Sequence, residues 1–203
     1  MTTSTERRTA ICLDVDGIIS TVPLLSIIAA GVDLIDETVA VQAIVNEATL
    51  PPKRAIGLQL RILSEVRTED AKRSLMSIPT NPDIMSIIAS KPGRVFGMTA
   101  LPRIWVEGMS AQLGIPLYAT DVQVGKNRMI QVDAIVEGSD VVDELHSSFD
   151  QVVAVGSAIN DVRLLDAADV AVVFGPDPPK SIRAIADYWV TTGRALCKLL
   201  APL

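Results

Sequence analysis

Ile11-Cys12-Leu13-Asp14-Val15-Asp16-Gly17 is the stretch whose reading decides the fold. A short apolar run ends in two carboxylates spaced i, i+2 and is closed by a glycine. A buried parallel strand delivers acidic side chains in this way to a loop at its C-terminal end, where open α/β sheets place their chemistry. One carboxylate can attack an electrophile such as phosphorus while its neighbour handles the proton, and Gly17 lets the backbone turn tightly beside them. Alone, Asp-x-Asp-Gly reads as a strand end running into a solvated turn.

Two later stretches change that reading. Arg94-Val95-Phe96-Gly97-Met98-Thr99 is a second apolar run, ending in a hydroxyl, and Gln151-Val152-Val153-Ala154-Val155-Gly156-Ser157-Ala158-Ile159-Asn160-Asp161 is a third, ending in Asn-Asp. In order, type and separation the three resemble the nucleophile strand, the Thr/Ser strand and the acidic Gly-Asp-x-x-Asn-Asp loop of the haloacid dehalogenase (HAD) superfamily. The resemblance extends over nearly the whole chain and is closest to the phosphoserine-phosphatase-like branch. It implies an α/β fold, a Rossmann-like parallel sheet with helices on both faces formed by residues 1–17 and 85–203, with a helical cap inserted as residues 18–84.

Composition is consistent with one such domain. The chain has 203 residues, enough for an α/β core with a small insertion and too few for two medium-sized domains. Hydrophobic residues make up 49%, which promises a rich core, yet no uninterrupted apolar run approaches the ~20 residues of a membrane helix. The first eight residues carry charge and no apolar segment, so they do not read as a secretory signal, and a cytoplasmic location is expected. Cys12 and Cys197 are far apart and suggest no disulfide framework. A net charge of −6 without a Lys/Arg cluster argues against a nucleic-acid partner and leaves room for a small anionic one.

Helical spacing of Leu24, Leu25 and Ile28, less regularly of Val39 and Ala43, and again of Leu58, Ile62 and Val66 marks residues 18–84 as helices, broken at Pro51-Pro52. Thr68-Glu69-Asp70 reads as a capped helix start, and Pro79-Thr80-Asn81-Pro82 as a turn back to the core. Strands are expected at 95–98, 115–119, 152–155 and 170–174, and a hairpin from 122–124 and 129–135 around Gly125-Lys126-Asn127. Helices are expected at 104–113, 140–145, 162–168 and 195–200. Strands alternating with helices imply a parallel sheet with right-handed crossovers.

The resemblance assigns roles to named residues. Asp14 would be the nucleophile that is transiently phosphorylated, and Asp16 would protonate the leaving group and later activate water. Thr99, with the backbone amides of Ala100 and Leu101, would donate hydrogen bonds to the phosphoryl oxygens. Mg²⁺ would be held by Asp14, by the backbone carbonyl of Asp16, and by Asn160 and Asp161 in the last loop. For Asn160-Asp161 the competing reading is a helix N-cap before Val162.

Three departures from the family bear on activity. Ser157 stands where the family places its first metal-binding Asp, which removes a full negative charge from a site for a hard cation. No Lys is present in Val136-Glu137-Gly138-Ser139-Asp140, where the family uses one to hold nucleophile and phosphate together; Lys126 and Lys180 read as surface residues. Pro23 and Gln59 align with the Glu and Arg that grip phosphoserine, so the substrate expected here is a different small molecule with more apolar character, contacted by Gln59 and Ser157. Ile18, where the family has Thr or Ser, points the same way, and the sole histidine, His146, reads as a surface residue.

Three activities remain open on the sequence. The first is a HAD-type phosphatase that forms an aspartyl-phosphate with weakened Mg²⁺ dependence. The second is a metal-independent enzyme of dehalogenase-like or other biosynthetic chemistry, since haloacid dehalogenases carry Ser near the position of Ser157. The third is a non-catalytic binding protein of the same fold.

Overall fold

A computed structural model describes residues 7–46, 51–124 and 130–203. The chain enters as β1 (Thr9–Asp14), then runs through four helices, α1 (Leu24–Gly31), α2 (Ile35–Asn46), α3 (Pro52–Ile62) and α4 (Thr68–Leu75). It returns through α5 (Pro82–Ser90) to β2 (Val95–Pro102), α6 (Arg103–Leu113), β3 (Leu117–Val124) and β4 (Ile130–Ala134). The last third is α7 (Gly138–His146), β5 (Gln151–Gly156), α8 (Val162–Ala167), β6 (Val170–Phe174), α9 (Lys180–Arg183), β7 (Tyr188–Val190) and α10 (Gly193–Leu200).

The strands form one sheet in the order β4-β3-β2-β1-β5-β6-β7, parallel except for β4, which pairs antiparallel with β3. From β1 the chain first builds outward through β2 and β3, then crosses to the opposite side to lay down β5 beside β1. The crevice beyond the C-terminal ends of β1 and β5 is therefore the topological switch point, where open α/β sheets bind ligands.

Alternation along the strands fixes both layers. Ile11 and Leu13 of β1 and Val153 and Val155 of β5 join a core cluster with α5, α6 and α10, through Ile84, Ile88, Trp105, Met109 and Leu196 among others. Ala10, Cys12, Val152 and Ala154 join a second cluster with α7, α8 and α9, through Val141, Leu145, Leu164 and Ile182. A strand buried on both faces needs apolar residues at consecutive positions, which is why β1 and β5 read as runs and not as alternation. The first cluster continues into the inserted helices through Leu24, Ile28, Leu60, Ala71 and Leu75, and α4 packs along α6.

Several elements differ in detail from expectation. Strand β2 runs on past Met98 to Pro102, with a register irregularity after Thr99, so Thr99 lies within the strand. Strand β3 starts at Leu117, since Pro116 has no N–H and instead accepts from Gly97 through its carbonyl at 2.9 Å. Helix α4 starts at Thr68, but Thr68 is its first helical residue: Arg67 is the flanking residue and no side chain caps it. Acidic Glu69 and Asp70 in its first turn and Lys72 and Arg73 in its last complement the helix dipole instead. The turn at residues 79–82 opens directly into α5, where Asn81 accepts from the amide of Asp83 at 3.1 Å and Pro82 takes the first helical position. The hairpin strands pair as expected, from Asp121 opposite Ala134 to Val124 opposite Ile130, and the turn at 125–127 lies outside the described residues.

Candidate active site

The opening motif ends where β1 does. Asp14 is the last residue of the strand, opposite Met98 of β2, and the amide of Val15 donates to the Met98 carbonyl at 2.9 Å. The backbone then turns through Gly17 at φ +78°, in the left-handed region that suits glycine. Ser20 closes the loop by donating its amide to the Val15 carbonyl at 2.8 Å. Within this turn Asp16 Oδ1 accepts from the amide of Leu24 at 2.7 Å. Asp16 thus serves as a remote N-cap for α1, whose own flanking residue, Pro23, has no capping side chain.

The loop after β5 comes to the same place. Asp161 Oδ2 accepts from the amides of Ser157 at 2.6 Å and Ala158 at 2.9 Å, which locks the short 3-10 turn Ile159–Asp161. Glycine is required at position 156, because a Cβ there would lie 2.6 Å from the Cβ of Asp161. Asp161 precedes α8 as an N-cap residue would, but makes no side-chain bond to that helix; its carboxylate ties its own loop. Asn160 is exposed while Asp161 is buried, with 1% of its surface exposed. Ser157 connects the two loops: its hydroxyl donates to the main-chain carbonyl of Asp16 at 3.4 Å, and its Oγ lies 2.9 Å from where a Cβ on Gly17 would stand.

Thr99, from the neighbouring strand, is 1% exposed and accepts from the amide of Leu101 at 3.3 Å. The carbonyl between them, Ala100, accepts from the hydroxyl of Thr120 at 2.7 Å, and that hydroxyl accepts in turn from the amide of Val136 at 3.3 Å. A buried threonine in β3 thus pins the irregular end of β2 to the chain leading into α7.

Electrostatics sets the acidic cluster apart. Asp14 is 4% exposed, and its Oδ2 is buried without a hydrogen-bond partner. Burial holds the Asp14 carboxyl well above the usual carboxylate range, and Asp161 and Asp16 push it further; only the amide N–H groups of Asp16 and Val15 pull the other way. Burial also pushes Asp16 up to about 6, against the Leu24 hydrogen bond, and Asp161 up to about 6, against the amides of Ala158 and Ser157 and with the charge of Asp16. Among the described residues no cationic side chain offsets these charges at Asp14. Among the described residues no three His, Cys, Asp or Glu side chains are grouped to close on a metal by themselves. An orphaned buried carboxylate oxygen amid acids nonetheless fits a hard divalent cation completed by main-chain oxygen.

The inserted helices cover this corner. Helix α3 packs against the 159–161 turn and against β4, and Gly57 faces Ile135, whose Cδ1 would be 3.9 Å from an added Cβ. Gln59 is buried on α3, and Ile18 is buried in the core cluster that joins sheet and insertion. Lys180 is exposed at the start of α9, and Lys126 lies outside the described residues. His146 is at the surface, paired with Asp169 Oδ2 at 2.8 Å.

Asp14, Asp16, Ser157 and Asp161 thus come together, Thr99 follows the β2 partner of Asp14, and Asn160 is exposed; two connections were not legible in advance, the Asp16 cap on α1 and the Ser157 bond to Asp16. Solved structures share the whole arrangement of the chain. A phosphoserine phosphatase described as a phospho-aspartyl intermediate analogue superposes with a TM-score of 0.79 at 16% identity, covering 96% of this chain and 99% of that one. The chain has a HAD fold of the phosphoserine-phosphatase kind. A substrate-bound phosphoserine phosphatase matches the same fold with a TM-score of 0.80 at 15% identity, over 97% of this chain and 99% of that chain. A HAD family hydrolase from Salmonella enterica serovar Typhi gives 0.80 at 12% identity, over 95% of this chain and 71% of that chain. No protein-family model matches the sequence, and no curated protein matches it significantly.

Proposed function

We propose that the protein is a HAD-type phosphatase that acts on a small phosphorylated metabolite through an aspartyl-phosphate on Asp14. The observation that carries this reading is the partnerless Oδ2 of Asp14, buried at the switch point of the sheet with Asp16 two residues on and Thr99 on the adjacent strand. An Asp14 oxygen attacks phosphorus as the bond from phosphorus to the ester oxygen breaks, and Asp16 gives its proton to the departing oxygen. Asp16 then takes a proton from water, which attacks the same phosphorus, releasing phosphate and restoring Asp14. A carboxyl raised to about 6 suits this exchange near neutral pH. The Thr99 hydroxyl and the Ala100 and Leu101 amides orient the phosphoryl oxygens.

Asp14, the Asp16 carbonyl and Asp161 would hold Mg²⁺, with Asn160 at the exposed edge and Ser157 in place of an acid. When bound, the ion would neutralise charge on the carboxylates and the phosphoryl group. Pro23 and Gln59 offer no ion pair to an amino acid, which favours a substrate other than phosphoserine and of more apolar character. Among the described residues no helix is long and apolar enough to cross a membrane, and a cytoplasmic location accords with that. Purified protein assayed on a panel of phosphate esters, with and without Mg²⁺, should turn over at least one of them. Turnover unchanged by Asp14→Asn would falsify the scheme.

One observation favours a second reading, the metal-independent enzyme: the Asp16 carbonyl already accepts a hydrogen bond from Ser157. Release of halide from a 2-haloacid, abolished by Asp14→Asn, would establish it in place of the first.

A further inference from the structure

Building on the phosphatase reading, we propose that the Ser157 hydroxyl and a hard divalent cation compete for the main-chain carbonyl oxygen of Asp16. The ends of β1 and β5 bring three kinds of oxygen together. Asp14 Oδ2 has no partner, Asp161 Oδ2 is held by two amides, and the Asp16 carbonyl takes the Ser157 hydroxyl. The Ser157 bond is the weakest of these contacts. Its 3.4 Å length exceeds the usual 2.7–2.8 Å for a hydroxyl donor, and Ser157 is only half-buried.

The main chain of Ser157 is anchored, because its amide donates to Asp161 at 2.6 Å. The side chain can therefore rotate away from Asp16 without moving the loop, and Gly17 leaves the space in which its Oγ now rests. With the hydroxyl in place, the carbonyl presents a donor toward the region where a cation would approach. With the hydroxyl turned away, the carbonyl and Asp14 Oδ2 are both available, and Ser157 adds no charge of its own. Such a site binds the cation more weakly than one completed by a third carboxylate, so it fills only at higher free cation concentration.

Mn²⁺ binding to the purified full chain, followed by loss of the free-ion electron paramagnetic resonance signal, tests this without substrate. Ser157→Ala removes the competitor and should tighten binding about two- to five-fold. Ser157→Asp replaces the competitor with an anionic ligand and should tighten it at least about tenfold. Asp14→Asn in the Ser157→Asp background should reverse that gain. Ser157→Ala binding more weakly than the wild type would make the hydroxyl a ligand and overturn the proposal, as would a wild type that already binds as tightly as Ser157→Asp. Failure of the catalytic reading has a different signature, turnover indifferent to Asp14→Asn in the otherwise wild-type chain, which the Mn²⁺ series neither requires nor produces.

Discussion

Among the described residues, two buried side-chain oxygens lack a hydrogen-bond partner, and they lie in contrasting surroundings. Asp14 Oδ2 sits at the end of a central strand, repelled by Asp16 and Asp161; Thr68 Oγ1 sits at the first turn of α4, on the seam with α6. A buried polar atom without a partner costs roughly 1–3 kcal/mol, more when it is charged. At the strand end the neighbouring groups multiply that cost, and each of them is chemically useful. At the seam Thr68 lines a cleft with Glu69, Lys72 and Ile104, no cluster of acids among the described residues surrounds it, and the cost has no visible counterpart. The first orphan therefore reads as a place kept for a ligand, the second as a packing defect. Substitution separates the two.

The largest effect should come from Asp14→Asn. Removing the nucleophile should lower turnover of any accepted phosphate ester by about 10³-fold or more. The same change removes a buried, mutually repelled carboxylate, so the melting temperature should rise. A fall in both activity and stability would mean that Asp14 is a structural group and would erase the contrast with Thr68. Asp161 should behave in the opposite way. Its Oδ2 holds two amides, so Asp161→Ala should orphan both and destabilise the protein by about 2–4 kcal/mol in chemical denaturation.

The pH dependence of stability follows from the same cluster. Burial pushes Asp16 and Asp161 up to about 6 in the folded chain, above the ~4 of an exposed carboxyl, and Asp14 is raised as well. Between those values the folded state keeps protons that the unfolded chain has released, so stability falls as pH rises through the window and stays low above it. Asp169, held below its usual range by the Val152 amide and His146 despite burial, acts in the opposite sense, but only as pH falls below about 4. Melting temperature should therefore drop from pH 5 to pH 7.5, and added Mg²⁺ should reduce the drop if the carboxylates take the ion. A flat profile would show that water already relieves the cluster.

Much of this corner is legible in the sequence because the signal is local. An apolar run ending in Asp-x-Asp-Gly marks a strand end, and the runs ending at Thr99 and at Asn160-Asp161, which resemble HAD motifs in order and separation, make it one that delivers acids to a shared site. What escapes is set by tertiary geometry. The Ser157 hydroxyl meets the Asp16 carbonyl across 141 positions, and nothing in either segment announces it. Adjacent Asn160 and Asp161 differ completely in burial because a 3-10 turn faces one outward, which no helical or strand period encodes. Helix α5 was within reach, since Asn81-Pro82-Asp83 combines a capping residue with proline at the first helical position. Strand β7 was not: three residues, two of them exposed aromatics, owe their place to the sheet edge and to the Trp189 indole, which donates to the Gly175 carbonyl at 2.8 Å.

The smallest effect belongs to the other orphan. Thr68→Val keeps the shape of the side chain and removes only the hydroxyl, so it deletes a desolvated group that has nothing to bond. Valine is a poorer helix former than alanine but close to threonine, and position 68 is the first of α4, so propensity changes little. Stability should rise by about 0.5–1.5 kcal/mol, read as a shift of the urea midpoint at constant slope. Turnover should stay within about twofold of wild type, because this seam joins α4 to α6 and not to the acidic loops. A stabilising Thr68→Val with normal activity, set beside a stabilising but inactive Asp14→Asn, would show that this fold carries one unsatisfied oxygen by accident and one for use. Loss of stability in Thr68→Val would instead mean that the hydroxyl is satisfied by ordered water in the cleft it shares with Glu69, Lys72 and Ile104, and both orphans would then be sites where the chain holds something that is not protein.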